Sequence, residues 1–142
     1  MDVTPLIPEG LQVIQGYADG HFLVAQTVYD GPVLVMPTRT VVWSIDLRDT
    51  GTFPADFSLD SLGEAFASTE PFDILLIGSG ERQAFLKPAI RAAIRERGPV
   101  VEVMDTGAAC RTYNLLLAEG RQVAAALIPL PSTNAAMERT GG

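Results

Sequence analysis

The stretch VVEVMDTGAACRTYNLL, residues 100–116, contains the end of one structural element and the beginning of the next. Val100–Met104 is rich in β-branched and large apolar residues, which favour a strand. Asp105 is a preferred N-cap residue, and we predict a helix over Thr106–Glu119. A strand that passes directly into a helix is the repeating unit of an α/β sheet.

The segments on either side have the same order of elements. Phe72–Ile77 is a continuous apolar run, typical of a strand that is covered on both faces. After it, Leu86, Ile90 and Ile94 share one face of a predicted helix. Arg121–Leu130 is predicted to be the last strand, and strands joined by helices are expected to be parallel.

The first third of the chain has a β pattern instead. Asp19-Gly20 is a hairpin signal because both residues tolerate positive φ. The four predicted strands, which we expect to be antiparallel, are Leu11–Tyr17, His21–Val28, Val33–Met36 and Val41–Ile45.

A loop over 46–57 and a helix from residue 58, with Leu59, Leu62 and Phe66 on one face, complete the expected order. We predict one α/β domain over residues 1–130 and a disordered tail over 131–142, which lacks periodicity.

Composition narrows the classes of function. The formal net charge of -7 argues against nucleic acid or an anionic membrane as the main partner. With one Cys and one His, the sequence predicts no internal disulfide, no metal site and a cytoplasmic location. No secretory signal and no apolar run long enough to span a bilayer, about 20 residues, is visible, so the protein is expected not to span the membrane.

The candidate site is the sheet edge where the strands ending near Ile77 and Met104 would meet. Gly78-Ser79-Gly80 and Asp105-Thr106-Gly107 would then face one crevice, where open α/β sheets bind ligands. A helix N-terminus with Arg111 nearby suits a small anion. The alternative is a purely structural junction, in which Asp105 caps the helix and the glycines only form a tight turn.

Three motifs near this edge resemble known catalytic or binding signatures. A dinucleotide fingerprint would need a third glycine, but position 83 is Gln. Asp105-Thr106-Gly107-Ala108 matches the aspartic-protease tetrapeptide, which belongs to an all-β context that the following helix contradicts. Cys110 beside Arg111 could have a lowered thiol pKa, or could be a small buried apolar residue.

The segments FDILLIGSG, residues 72–80, and VEVMDTGAACRTYNLL, residues 101–116, resemble the Mth938-like domain family. Eukaryotic relatives in that family include a mitochondrial assembly factor for respiratory complex I. The resemblance extends to Leu130 and implies a compact three-layer α/β fold. In that fold, a mixed β-sheet has antiparallel N-terminal strands and helices packed against it. The resemblance implies no established enzymatic activity and no cofactor. The family's candidate surface maps onto Gly78, Gly80, Asp105, Thr106, Ala109, Tyr113 and Asn114.

The leading hypothesis is a non-enzymatic, cytoplasmic, bacterial protein-binding module. Its partner would be a subunit of respiratory complex I or of another membrane complex under assembly. The alternative is a small-anion or metabolite site, including a catalytic one, and the third hypothesis is thiol chemistry at Cys110. The residues assigned to the crevice, none of them as a catalytic residue, are Gly78, Ser79, Gly80, Asp105, Thr106, Gly107, Cys110, Arg111, Tyr113 and Asn114.

Overall fold

The computed structural model describes residues 11–45, 59–67 and 72–131. Within these ranges the strands are β1 (Ile14–Gly16), β2 (His21–Val24), β3 (Thr27–Asp30), β4 (Val33–Val35), β5 (Thr40–Val42), β6 (Ile74–Gly78), β7 (Val100–Met104) and β8 (Val123–Leu127). The helices are a 3-10 turn at Leu59–Leu62, followed by α1 (Gly63–Phe66), α2 (Pro88–Glu96) and α3 (Thr106–Ala118). The predicted loop at 46–57 and the predicted tail, apart from residue 131, lie outside the described residues.

A mixed five-stranded sheet, in the order β5-β4-β8-β6-β7, forms the middle layer. β6 is parallel to both β7 and β8, whereas β4 is antiparallel to β5 and β8. All five residues of β8 are buried, and three of them are alanines. Small side chains on the central strand let the elements on both faces approach the sheet closely.

Two apolar clusters lie on opposite faces of this sheet, because successive side chains of a strand point to opposite sides. Ala124 and Ala126 belong to the cluster that includes Leu62 of the 3-10 turn and Ile94 of α2. Ala125 belongs to the other cluster, which includes residues of α3, β1 and β2. The protein therefore has three layers, as the family resemblance implies.

The two helical crossovers account for this arrangement. α2 leads from β6 to β7, and α3 then leads from β7 back across β6 to β8. Two right-handed connections that run in opposite directions must lie on opposite faces of a sheet. The prediction that the helix-linked strands are parallel is confirmed, although β8 lies beside β6 and not beside β7.

The first three strands form a separate antiparallel sheet, in the order β1-β2-β3. Asp19 and Gly20 have the positive φ expected of the hairpin turn between β1 and β2. The prediction of one strand over His21–Val28 is wrong, because the chain turns again at Ala25 and Gln26, with φ of 48° and 71°. Turns of this kind usually carry Asn or Gly, so the pair gives no signal in the sequence.

The helix predicted from residue 58 is shorter than its apolar pattern indicates, with a 3-10 turn before four α-helical residues. Trp43, which follows β5, is buried and donates from Nε1 to the Ser61 hydroxyl at 3.0 Å. Within the described part of the chain, every helix is too short or too polar to cross a bilayer.

Candidate functional site

The ends of β6 and β7 lie side by side, with Gly78 in register with Met104. Thr106, the first residue of α3, lies against Gly78 and is fully buried. Its N–H donates to the Gly80 carbonyl at 2.8 Å, and its hydroxyl accepts from the Gly80 N–H at 2.8 Å. The same hydroxyl donates to the Ile128 carbonyl at 2.6 Å. Thr106 thus joins the ends of β6 and β8 to the start of α3.

The two glycines of the loop are required for different reasons. A Cβ at Gly78 would lie 2.9 Å from Leu127 Cδ2 and 3.0 Å from the backbone Cα of Thr106. Gly78 therefore permits the close approach of α3 to the sheet. Gly80 has open space around it, but its φ of +102° is one that other residues rarely adopt.

The Ser79 side chain forms hydrogen bonds with the backbone of the residues that follow it. Its hydroxyl accepts from the Ala84 N–H at 3.0 Å and donates to the Arg82 carbonyl at 2.7 Å, with the Met104 carbonyl 3.2 Å away. The residue is only 7% exposed. The hydroxyl is therefore oriented by backbone groups of the protein itself.

Asp105 caps α3, since its carboxylate accepts from the Ala108 N–H at 2.9 Å. Gly107 is buried, and a Cβ there would lie 3.4 Å from the Tyr17 ring and 3.2 Å from Arg111 Nη1. Arg111 is exposed and donates from Nη1 to the Tyr17 hydroxyl at 3.0 Å. The polar groups that reach the surface at this edge therefore include Tyr17, Asp105 and Arg111.

Cys110 points into the core beneath α3 and is fully buried. Burial raises the pKa of its thiol to about 12, although the Arg111 cation opposes the shift and Asp105 adds to it. A thiol with this pKa is protonated at neutral pH and is a poor nucleophile. Tyr113 lies in the same core cluster and is equally buried.

Asn114 forms a two-point contact with the backbone of β1. Its Oδ1 accepts from the Ile14 N–H at 2.9 Å, and its Nδ2 donates to the Ile14 carbonyl at 2.7 Å. The side-chain amide pairs with Ile14 as a neighbouring strand would. Asn114 therefore fastens the three-stranded sheet to α3.

Of the ten residues assigned to the crevice, the structure brings the loop Gly78–Gly80 against Thr106 at the start of α3, whereas Asn114 contacts β1. Cys110 and Tyr113 are in the core, and Thr106 is enclosed. Sequence reasoning missed Tyr17, which is separated from Arg111 by 94 positions and carries no motif. Within the described ranges, no group of three or more His, Cys, Asp or Glu side chains is placed to hold a metal ion.

Solved structures with the same architecture define the class of this protein. A protein from Bordetella parapertussis superimposes with a TM-score of 0.72 at 35% identity, covering 86% of this chain and 99% of that one. A Mth938-like domain from Bordetella pertussis also gives a TM-score of 0.72, at 28% identity, covering 96% of this chain and 98% of that one. The fold is therefore Mth938-like, as the resemblance predicted.

The family model described as "Protein of unknown function (DUF498/DUF598)" matches residues 14–128, and the chain belongs to that family. A relative named NADH dehydrogenase [ubiquinone] 1 alpha subcomplex assembly factor 3, from Bos taurus, is 37% identical over 86% of this chain. The match spans only 63% of the length of that relative. An uncharacterized protein from Rhodobacter capsulatus is 33% identical over 86% of this chain and 88% of its own length.

Proposed function

We propose that this protein is a non-enzymatic binding module that holds a protein partner while a respiratory or other membrane complex is assembled. Relatives that carry the name of a complex I assembly factor support this proposal. So does the junction between β6, β8 and α3, where buried polar groups of Ser79, Gly80 and Thr106 bond to one another or to nearby backbone. Catalysis instead needs polar groups that converge on a substrate.

The surface that we assign to the partner lies on the outer side of the junction. It consists of Tyr17, Asp105, Arg111 and Leu115, and we name it the rim patch. Arg111 and Leu115 are four positions apart in α3 and share a face of the helix. Leu115 is 60% exposed, so this face of α3 presents a large apolar side chain to solvent.

The rim patch has the chemistry of a protein contact. Tyr and Arg are enriched among the residues that contribute most to binding at protein interfaces. The hydrogen bond between Tyr17 and Arg111 restrains both side chains before binding, which lowers the entropy that association would cost. A cytoplasmic, bacterial setting is part of the proposal, and the single, free cysteine is in keeping with a reducing compartment.

The competing hypothesis of a small-anion site depends on unbonded N–H groups at the start of α3. The N–H groups of Thr106 and Ala108 already donate to Gly80 and Asp105. The Asp105 carboxylate also places negative charge where an anion would bind. These contacts favour the protein-binding function over anion binding.

A pull-down from source cells tests the proposal. The bait is the full chain, compared with Arg111→Glu and with Arg121→Glu as the matched control. Arg121 is also exposed and lies beyond the other end of α3. We expect the unaltered chain and Arg121→Glu to recover subunits of a respiratory or membrane complex, and Arg111→Glu to lose them.

Recovery of no such subunit by the unaltered chain would contradict the proposal.

A thermal-shift screen with phosphates, nucleotides and carboxylates examines the anion hypothesis. A ligand at 100 times its dissociation constant adds about 2.7 kcal/mol of stability, so a true ligand gives a clear shift. We expect no shift.

A further inference from the structure

A second surface lies on the opposite face of the sheet, between α2 and the edge strand β7. Pro88, Arg91, Ala92 and Arg95 are spaced as i, i+3, i+4 and i+7, so they form one stripe along α2. This stripe and Val100 and Val101 line a groove of about 300 Å³. We name it the α2–β7 groove. Its volume is at the small end of the range for ligand pockets, about 300–1,000 Å³.

The groove offers apolar surface to solvent. Val100, at the start of β7, is 46% exposed, and both Pro88 and Ala92 are exposed. Phe85, three positions before Pro88, is 69% exposed. The buried face of α2, represented by Ile94, packs against the sheet, so the groove stripe is not needed for the core.

The segment that contains α2 carries a charge opposite to that of the whole chain, and two of its basic residues, Arg91 and Arg95, line the groove. The chain has a net charge of -7, yet residues 82–97 hold half of its ten basic residues and only one acidic residue, Glu96. The basic residues of this segment are Arg82, Lys87, Arg91, Arg95 and Arg97. A local positive field on an acidic protein attracts negatively charged groups to this surface.

The two arginines of the stripe are held in place by backbone carbonyls. Arg91 Nη1 donates to the Val101 carbonyl at 2.8 Å, and Arg95 Nη1 donates to the Gly98 carbonyl at 2.8 Å. Each guanidinium has five N–H donors, so further donors remain for a carboxylate. The cations are therefore positioned at the groove before any partner arrives.

The edge of β7 is closed to strand addition. Alternate residues of β7 bond to β6, which directs the carbonyls of Val101 and Val103 away from the sheet. Arg91 covers the first of these carbonyls, and Gln83 Nε2 covers the second at 2.9 Å. Side chains on an edge strand prevent pairing with another chain. Recognition in the groove must therefore use side chains of the partner.

We propose that the α2–β7 groove binds an acidic segment of a protein partner, in which one large apolar side chain is flanked by Asp or Glu. The apolar side chain packs against Ala92 and Val100, and the carboxylates pair with Arg91 and Arg95. This docking surface rests on the protein-binding function proposed above, but it is separate from the rim patch. Free phosphate groups would meet the same arginines but would leave the apolar floor of the groove uncovered.

The test is a nuclear magnetic resonance titration of the ¹⁵N-labelled full chain with short peptides. One peptide alternates Glu and Leu, a second alternates Lys and Leu, and a third probe is an oligothymidine. We expect the Glu-Leu peptide to shift the amide signals of α2 and of β7 near Val100. The Lys-Leu peptide and the oligothymidine are expected to leave them unchanged.

Two variants with the same substitution give the matched control. Ala92→Glu places a carboxylate inside the groove, whereas Ala89→Glu places one on an exposed position of α2 that does not line it. We expect Ala92→Glu to weaken binding of the Glu-Leu peptide at least about tenfold, because like charges across an interface repel. Ala89→Glu is expected to stay within about twofold of the unaltered chain.

Equal shifts with the Lys-Leu peptide, shifts confined to other surfaces, or equal weakening by both variants would overturn the assignment. Saturable binding of the oligothymidine at the same amides would replace it with a nucleic-acid surface. The pull-down separates the two proposals. If Arg111→Glu loses the partner while the peptide does not bind, the groove assignment fails and the protein-binding function stands.

Discussion

Thr106→Val removes the hydroxyl from the junction while keeping a β-branched side chain of similar shape. In the native protein this hydroxyl accepts from the Gly80 N–H and donates to the Ile128 carbonyl, and it is fully buried. The variant loses both hydrogen bonds and leaves two buried backbone groups without them. An unsatisfied buried polar group costs about 1–3 kcal/mol. With two such groups, we expect a loss of about 2–6 kcal/mol in the free energy of unfolding.

This loss is large for a domain whose total stability is expected to be about 5–15 kcal/mol. The assay is equilibrium unfolding in urea, followed by the fluorescence of Trp43. Thr106→Ser is the control, because it keeps the hydroxyl and removes only a methyl group, at a cost of about 1 kcal/mol. If Thr106→Val unfolds within 1 kcal/mol of the unaltered protein, or if Ser is as damaging as Val, then the junction is not the tie between elements that we describe.

Three further perturbations probe the same region. Gly78→Ala should lower the free energy of unfolding by about 1–3 kcal/mol, because its Cβ would overlap the Thr106 backbone. Urea unfolding measures this change, and an unchanged stability would contradict the packing. Asn114→Ala should lower the free energy of unfolding by about 2–4 kcal/mol and increase hydrogen exchange in β1, because it removes both hydrogen bonds to the Ile14 backbone. Unchanged hydrogen exchange would contradict this contact between Asn114 and β1. Cys110 should resist alkylation at pH 8 until the protein unfolds, and rapid labelling of the native protein would contradict its burial. Because the pKa of Cys110 is raised in the folded state, its contribution to stability should fall by about 1.4 kcal/mol per pH unit between the ordinary thiol pKa and about 12. Cys110→Ala should remove this contribution to the slope in urea unfolding at successive pH values.

The sequence is most informative where residues that favour the start or end of a helix or strand separate one element from the next. The sequence predicts β6, α2, β7 and α3, because continuous apolar runs, the helical spacing of Leu86, Ile90 and Ile94, and the Asp105 cap are local signals. Neighbouring parallel strands also explain why Gly80 and Thr106 come together at one edge. These features depend on interactions between residues that are close in the sequence, so local patterns predict them.

Other features depend on contacts between distant residues and left no local signal. The turn at Ala25 and Gln26 has positive φ without the residues that usually accept it. The position of β8 beside β6 follows from which face α3 covers. The exposed pairing of Tyr17 with Arg111 joins residues that are 94 positions apart in the sequence, so no spacing rule could have indicated it.

The identity of the partner-binding surface is the central claim, and site-specific photocrosslinking in source cells tests it most directly. A photoreactive phenylalanine would replace Leu115 in the rim patch or Val42 on β5, which are 60% and 62% exposed. We expect position 115 to crosslink to a subunit of a respiratory or membrane complex, and position 42 to give no such product. Crosslinks from position 42 alone, or equal crosslinks from both positions, would contradict the assignment of the rim patch.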